Sequence, residues 1–111
     1  MKVVNLMRGT MLHENVRTAR TFTEKSEGLL KSIADAALFL RTRWGVHTFG
    51  MKFSIDCLVM DGDMKVVALR ENLAPGHFFF WNPHYRNVLE LPAGTIVRTN
   101  TKVGDVIELM A

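Results

Sequence analysis

The 111-residue chain contains one cysteine, three prolines and one tyrosine. A lone thiol, Cys57, excludes an internal disulfide. The apolar stretch of the N-terminus is too short for an export signal and is followed by Arg8, so a reducing, cytoplasmic location is expected. No stretch approaches the roughly 20 apolar residues that a membrane helix needs. The run Ile55 to Met60 is short and carries Asp56, so no membrane partner is expected. Charge of one sign is scarce too: 14 basic against 11 acidic residues leave +3. Repeats, linkers and low-complexity segments are missing. With 48% apolar and 23% charged residues, the composition is that of one globular domain spanning residues 1–111.

The sequence has no Gly-x-Ser-x-Gly, phosphate loop or dinucleotide fingerprint, and any cofactor is left unidentified by it. His13, His47, His77 and His84 are widely spaced and have no Cys-x-x-Cys or His-x-x-x-His companion; no metal site is expected. The basic excess is uneven, with eight bases and four acids in residues 1–50 and six and seven in residues 51–111. A pI near 9.4 is compatible with a polyanion partner, although the bases are scattered.

Most segments read as short strands. Val3 to Met7, Val16 to Phe22, Ala36 to Leu40, Gly45 to Phe49, Lys65 to Leu69, Asn87 to Leu91, Thr95 to Thr99 and Val106 to Leu109 are β-prone runs between turn signals. Ile55 to Met60 is nearly all apolar, as expected of a strand buried on both faces. Asp61-Gly62-Asp63 reads as a hairpin turn using the positive φ that Asp-Gly tolerates. One helix is predicted, about Thr23 to Ser32, opened by a Thr-x-x-Glu capping box with Leu29 and Ile33 on one face. The expected fold is α+β: a small, mostly antiparallel β barrel with one packed helix. Its predicted core includes Leu29, Ile33, Leu38, Leu40, Ile55, Leu58, Val59, Val67, Leu69, Leu89, Leu91, Val97, Val106 and Ile107.

Several segments taken together carry a resemblance. They are Glu27-Gly28-Leu29-Leu30, Val46-His47-Thr48-Phe49-Gly50-Met51 with Ile55-Asp56 beyond it, Leu89-Glu90-Leu91-Pro92-Ala93-Gly94, and Val103-Gly104-Asp105-Val106. The chain resembles the prokaryotic family known as domain of unknown function 192 over about residues 21–109. The resemblance implies a compact, mostly antiparallel barrel with a packed helix, and no assigned activity. Two departures are visible. The arginine usual before the Gly-Leu pair is replaced by Glu24-Lys25-Ser26-Glu27, and Gly76-His77 follow Pro75 where tryptophan and arginine are common.

The residues that could carry chemistry lie mainly between His47 and Asp56. Asp56 shares a strand face with Leu58 and Met60, and a carboxylate on an apolar stripe must be hydrogen-bonded, paired or protonated. Either it orients His47 in a pocket as part of an acid/base pair, or it accepts backbone N–H groups and holds a loop. Glu90 reads as a solvated or Arg86-paired side chain, or as a pocket acid beside Pro92. The expected ligand site comprises His47, Thr48, Met51, Lys52, Asp56 and Glu90 at the strand ends, holding a small molecule. An enzyme using His47 or Asp56 is the alternative. Another is single-stranded nucleic-acid binding through Arg41, Arg43, Lys52 and the aromatic run Phe78 to Trp81. Strand alternation sends Phe78 and Phe80 one way and Phe79 and Trp81 the other. One pair must therefore serve the core, while the other forms a homo-oligomer contact or a ligand platform. Cys57 reads as a buried structural thiol.

Overall fold

The computed structural model describes residues 1–18 and 35–111. The predicted helix Thr23 to Ser32, the end of the strand entering it, and the predicted core residues Leu29 and Ile33 lie outside the described residues. Within the described residues, nine strands precede one short helix and a tenth strand follows it. They are β1 (Lys2–Asn5), β2 (Thr10–His13), β3 (Val16–Thr18), β4 (Ala37–Arg41), β5 (Gly45–His47), β6 (Ile55–Met60), β7 (Val66–Leu73), β8 (Phe78–Phe80), β9 (Asn87–Pro92), α1 (Thr95–Thr99) and β10 (Ile107–Met110).

The strands form a five-stranded sheet in the order β3-β4-β9-β6-β7, a three-stranded sheet β10-β1-β2 and a two-stranded ribbon β5-β8. All pairs are antiparallel except β3–β4. The expected closed barrel is not what forms: the described sheets are open. Between the large sheets, the β7 side is joined to the β10 side by one bridge, Lys65 to Val106. Around it the Val66 N–H donates to the Asp105 carbonyl, the Ile107 N–H to the Met64 carbonyl and the Gly104 N–H to the Val66 carbonyl, while the other two sheet edges, β2 and β3, do not pair. The apolar strands are shielded by stacking in layers, an alternative to closure for covering them.

β6 is buried along its whole length, because it lies between β9 and β7 and is covered on both sides. One face sends Leu58 and Met60 into the main core, with Val3, Leu12, Val16, Phe39, Leu89, Leu91 and Ile107. The other sends Ile55 and Cys57 towards the ribbon, where Val46, Met51 and Phe79 pack on them. Leu38, Leu40 and Val88 extend that second layer beneath Val46, Met51 and Trp81. Of the aromatic run, Phe79 and Trp81 serve the core and Phe78 and Phe80 face outwards.

Two local expectations are corrected. Thr95 to Thr99 is a helix, not a strand, and Val97 is 72% exposed while Ile96 takes the core position. β-branched residues favour strands, but Gly94 and Asn100 in left-handed conformations bracket the segment and stop it at both ends. In the β6–β7 turn the positive φ falls on Met64, not Gly62. Asp61 Oδ1 there accepts the N–H groups of Asp63 and Lys65, which holds a longer loop. Val67, Leu69 and Val106 are half-buried rather than core.

The β1 and β10 ends are fastened by polar groups. Buried Asn5 donates to Thr101 Oγ1 at 3.1 Å and Asp105 Oδ2 at 3.0 Å, and accepts the N–H groups of Met7 and Arg8. Asp105 also pairs with Arg8 Nε at 3.0 Å. Burial would raise the Asp105 carboxyl, but hydrogen bonds from Arg8, Asn5 and the Lys102 N–H, with the Arg8 charge, hold it below its ordinary range. A carboxyl lowered on folding contributes stability above its unfolded value, and that stability is lost as pH falls through the folded value. Arg8→Ala is therefore expected to lower stability at pH 6 and to flatten the acid limb of the curve. Thermal melts from pH 2 to 6 check this.

Candidate functional site

At the end of the central sheet where β4 begins and β9 ends, a cleft of about 640 Å³ opens. β2 supplies Leu12 and His13, the approach to β3 supplies Glu14, β3 supplies Arg17, and Asp35 and Arg98 complete the polar rim. A smaller cleft of about 270 Å³ shares Leu12, His13, Asp35 and Arg98 and reaches Pro92, Gly94 and Thr95. Arg98 is set by α1: its Nη1 and Nη2 donate to the carbonyls of Met11 and Leu12 at 3.2 and 2.8 Å. A guanidinium has five N–H donors, so donors beyond these two remain for a ligand. His13 Nδ1 accepts the Asn15 N–H at 3.0 Å, and its Nε2 lies 2.7 Å from the Asp35 carbonyl. In the neutral ring these contacts place the proton on Nε2. The rim therefore offers cationic donors, carboxylates and a fixed imidazole around an apolar floor.

The residues expected from sequence are distributed over three places. Asp56 is fully buried. Its Oδ1 accepts the Asn72 N–H at 3.0 Å and its Oδ2 the Ile96 N–H at 2.9 Å. It joins β7 to the first turn of α1. Thr48 is also fully buried; its hydroxyl accepts the His77 N–H at 3.0 Å and donates to the Ala74 carbonyl. His47 is exposed on the ribbon, with its ring 5.4 Å from Phe49 and 6.3 Å from Phe78. Its Nδ1 accepts the Phe49 N–H. Met51 is half-buried in the second layer, and Lys52 is exposed. Among the described residues no hydrogen bond or ion pair joins His47 to Asp56.

Glu90 differs from the expected solvated side chain: only 8% of it is exposed. Across the sheet it aligns with Leu38 on one side and Cys57 on the other, and Cys57 aligns with Arg70. Burial pushes the Glu90 carboxyl up to about 7. Burial also drives the Cys57 thiol well above its ordinary value, with Glu90 and Asp56 adding to the effect and Arg70 opposing it. A thiol so disposed is a poor nucleophile.

The family model for DUF192, described as an uncharacterized ACR, matches residues 3–109. The chain belongs to the DUF192 family. A UPF0127 protein from Thermococcus sibiricus is 27% identical over 113 residues, covering 96% of this chain and 73% of the relative. A crystal structure of a protein of unknown function from Novosphingobium aromaticivorans superposes with a TM-score of 0.80 at 20% identity, covering 97% and 84% of the two chains. Another, from Sinorhizobium meliloti and described as a candidate transcription regulator, gives a TM-score of 0.74 at 20% identity, covering 96% and 89%. These likenesses establish a shared fold, and nothing in them assigns a specific function.

In this DUF192 chain two segments that carried the resemblance meet: Ile55 and Asp56 pair with Pro92 and Leu91 across β6 and β9. Pro92, Ala93 and Gly94 then line the smaller cleft. Sequence reasoning missed the rim residues His13, Glu14, Arg17, Asp35 and Arg98. They come from separate segments, and no local spacing unites them. The one usable signal is the Pro92-Ala93-Gly94 turn, which places Arg98 near the end of β9.

Proposed function

We propose that this protein is a small-molecule-binding module whose ligand sits in the cleft at the strand ends, between β2, the start of β4 and α1. The observation that carries this reading is the cleft itself: its volume is in the range of small-molecule sites, and donors and acceptors converge on one apolar floor. The mixed rim suits a small polar molecule bearing an anionic group, received by Arg17 and Arg98, with Glu14 and Asp35 taking its donors. The acid/base alternative has less support, since Asp56 is engaged by two backbone N–H groups and His47 lies on the outer ribbon. The free, buried Cys57 is consistent with work in a reducing cytoplasm. No helix among the described residues is long and apolar enough to cross a membrane.

A thermal-shift panel of amino acids, organic acids, sugars and nucleotides tests the reading. A ligand at about 100 times its Kd adds ~2.7 kcal/mol, which moves the melting temperature by several degrees. Arg17→Glu changes an exposed side chain and is expected to abolish the shift while leaving the unliganded melt in place. A panel without a hit, or a hit indifferent to Arg17→Glu, counts against the cleft.

A further inference from the structure

The β5–β8 ribbon has an inner and an outer face. The inner face packs Val46 and Phe79 on the sheet. The outer face holds Phe78 and Phe80, 52% and 66% exposed, with ring centroids 5.3 Å apart and planes 14° from parallel. Phe49 stands edge-on to Phe78 at 4.9 Å, and His47 borders both. Gly45 makes this possible: a Cβ there would lie 2.6 Å from Phe80 Cδ1 and 2.5 Å from the Phe79 carbonyl. The Phe80 ring thus lies against bare backbone.

Next to Gly45 in the chain is Trp44, 66% exposed and at φ 76°. A bulky residue in the left-handed region is strained by about 1–3 kcal/mol and persists only when its surroundings fix it. Here the Trp44 carbonyl accepts the Trp81 N–H at 2.9 Å. The fold therefore spends strain at a position that displays an indole to solvent.

The same two chain segments lead from the ribbon to a pocket of about 300 Å³ lined by Arg41, Asp61, His84, Tyr85, Arg86 and Asn87. They are tied together by the Thr42 N–H to the Arg86 carbonyl and by the Trp81 N–H to the Trp44 carbonyl. Two guanidinium groups and an imidazole face one carboxylate, and Asp61 Oδ1 is already occupied by the Asp63 and Lys65 N–H groups. The chain turns back at Trp44, where the Gly45 N–H donates to the Arg43 carbonyl at 2.9 Å, so pocket and ribbon are less than the roughly 14 Å apart that four extended residues would span.

We propose that the outer ribbon face and the Arg41–Arg86 pocket form one site for single-stranded nucleic acid, with bases on the rings of Phe78, Phe80 and Trp44 and a phosphate in the pocket. Arg43, exposed between pocket and ribbon, follows the backbone. Stacking is open to every base and to either sugar, so the site takes RNA and DNA strands alike. It lies apart from the strand-end cleft and does not depend on that cleft's ligand.

Fluorescence anisotropy with labelled dT12 and rU12 tests the proposal. Both are expected to bind, more tightly than the corresponding duplex. Neutralising two to three phosphates should weaken binding roughly 7- to 18-fold between 50 and 200 mM salt. Phe78→Ala and Phe80→Ala should each cost at least about fivefold with the melting temperature unchanged, since both rings are on the surface. Arg86→Glu should weaken binding and Lys102→Glu, of equal charge change elsewhere, should not. Lack of binding to both oligonucleotides at 50 mM salt overturns the proposal. So does binding that the Phe variants leave intact or that Lys102→Glu weakens equally. A self-association removed by the Phe variants, without oligonucleotide binding, assigns the ribbon to a homodimer instead.

Discussion

Glu90→Gln is expected to raise the melting temperature at pH 8 and to leave it nearly unchanged at pH 4. Glu90 is buried among Leu38, Val88 and Cys57, and burial raises its carboxyl from 4.5 to about 7. The unfolded chain releases this proton near 4.5, while the folded chain holds it to about 7. Between those values the native state binds more protons than the unfolded state, so stability falls as pH rises. Above pH 7 the whole penalty is present, about 3 kcal/mol at ~1.4 kcal/mol per pH unit. Glutamine has nearly the same shape and no charge, so the penalty disappears and the slope between pH 4.5 and 7 flattens. Urea or thermal unfolding of both proteins across pH 4 to 8 measures this. Parallel curves for wild type and variant would mean that the carboxyl is solvated or paired in the native state.

The second large effect belongs to Asp56. Asp56→Ala removes the acceptor of two N–H groups, those of Asn72 and Ile96, in a fully buried place. Each donor left unpaired costs about 1–3 kcal/mol, so a loss of roughly 3–5 kcal/mol is expected. That is a large share of the stability of a domain of this size. Asp56→Asn keeps one acceptor oxygen and should lose about half as much. Denaturant unfolding gives the magnitudes. Amide hydrogen exchange gives the place, because Asn72 and Ile96 should lose protection ahead of the core. If Asp56→Ala is no less stable, the two hydrogen bonds are not what holds α1 on β6.

How much of this was readable in the sequence depends on the range over which each feature is determined. The strands of the central sheet are legible because their alternation and bounding turns are local: Ile55 to Met60 and Asn87 to Leu91 stand where the pattern puts them. α1 was not legible, because Thr95, Ile96 and Val97 carry strand propensity and the helix is held by Asp56, 40 residues earlier. Glu90 misleads for a related reason. Alternation shows that Leu89 and Leu91 share a face, but it does not show that β9 is a central strand covered on both sides. The barrel expectation fails at the sheet edges: β2 and β3 do not pair, and β7 and β10 are joined by the single bridge Lys65 to Val106. Of the six expected ligand residues, Asp56 and Thr48 hold backbone together, His47 and Lys52 are on the outside, and Met51 and Glu90 lie in the second layer. The family resemblance is legible from short motifs, two of which pair across β6 and β9.

The pairing of β1 with β10 has a temporal side. Asn5 and Asp105 are 100 residues apart, so at about 5–20 residues per second the ribosome takes ~5–20 s between making β1 and making the segment that fastens it. Until then β1 can pair with β2 and pack on core residues already made, such as Leu58 and Leu89, but its β10 edge stays open. The main core is completed by Ile107, made long after Val3. On a nascent chain, the time for which that edge stays unpaired follows the speed of elongation.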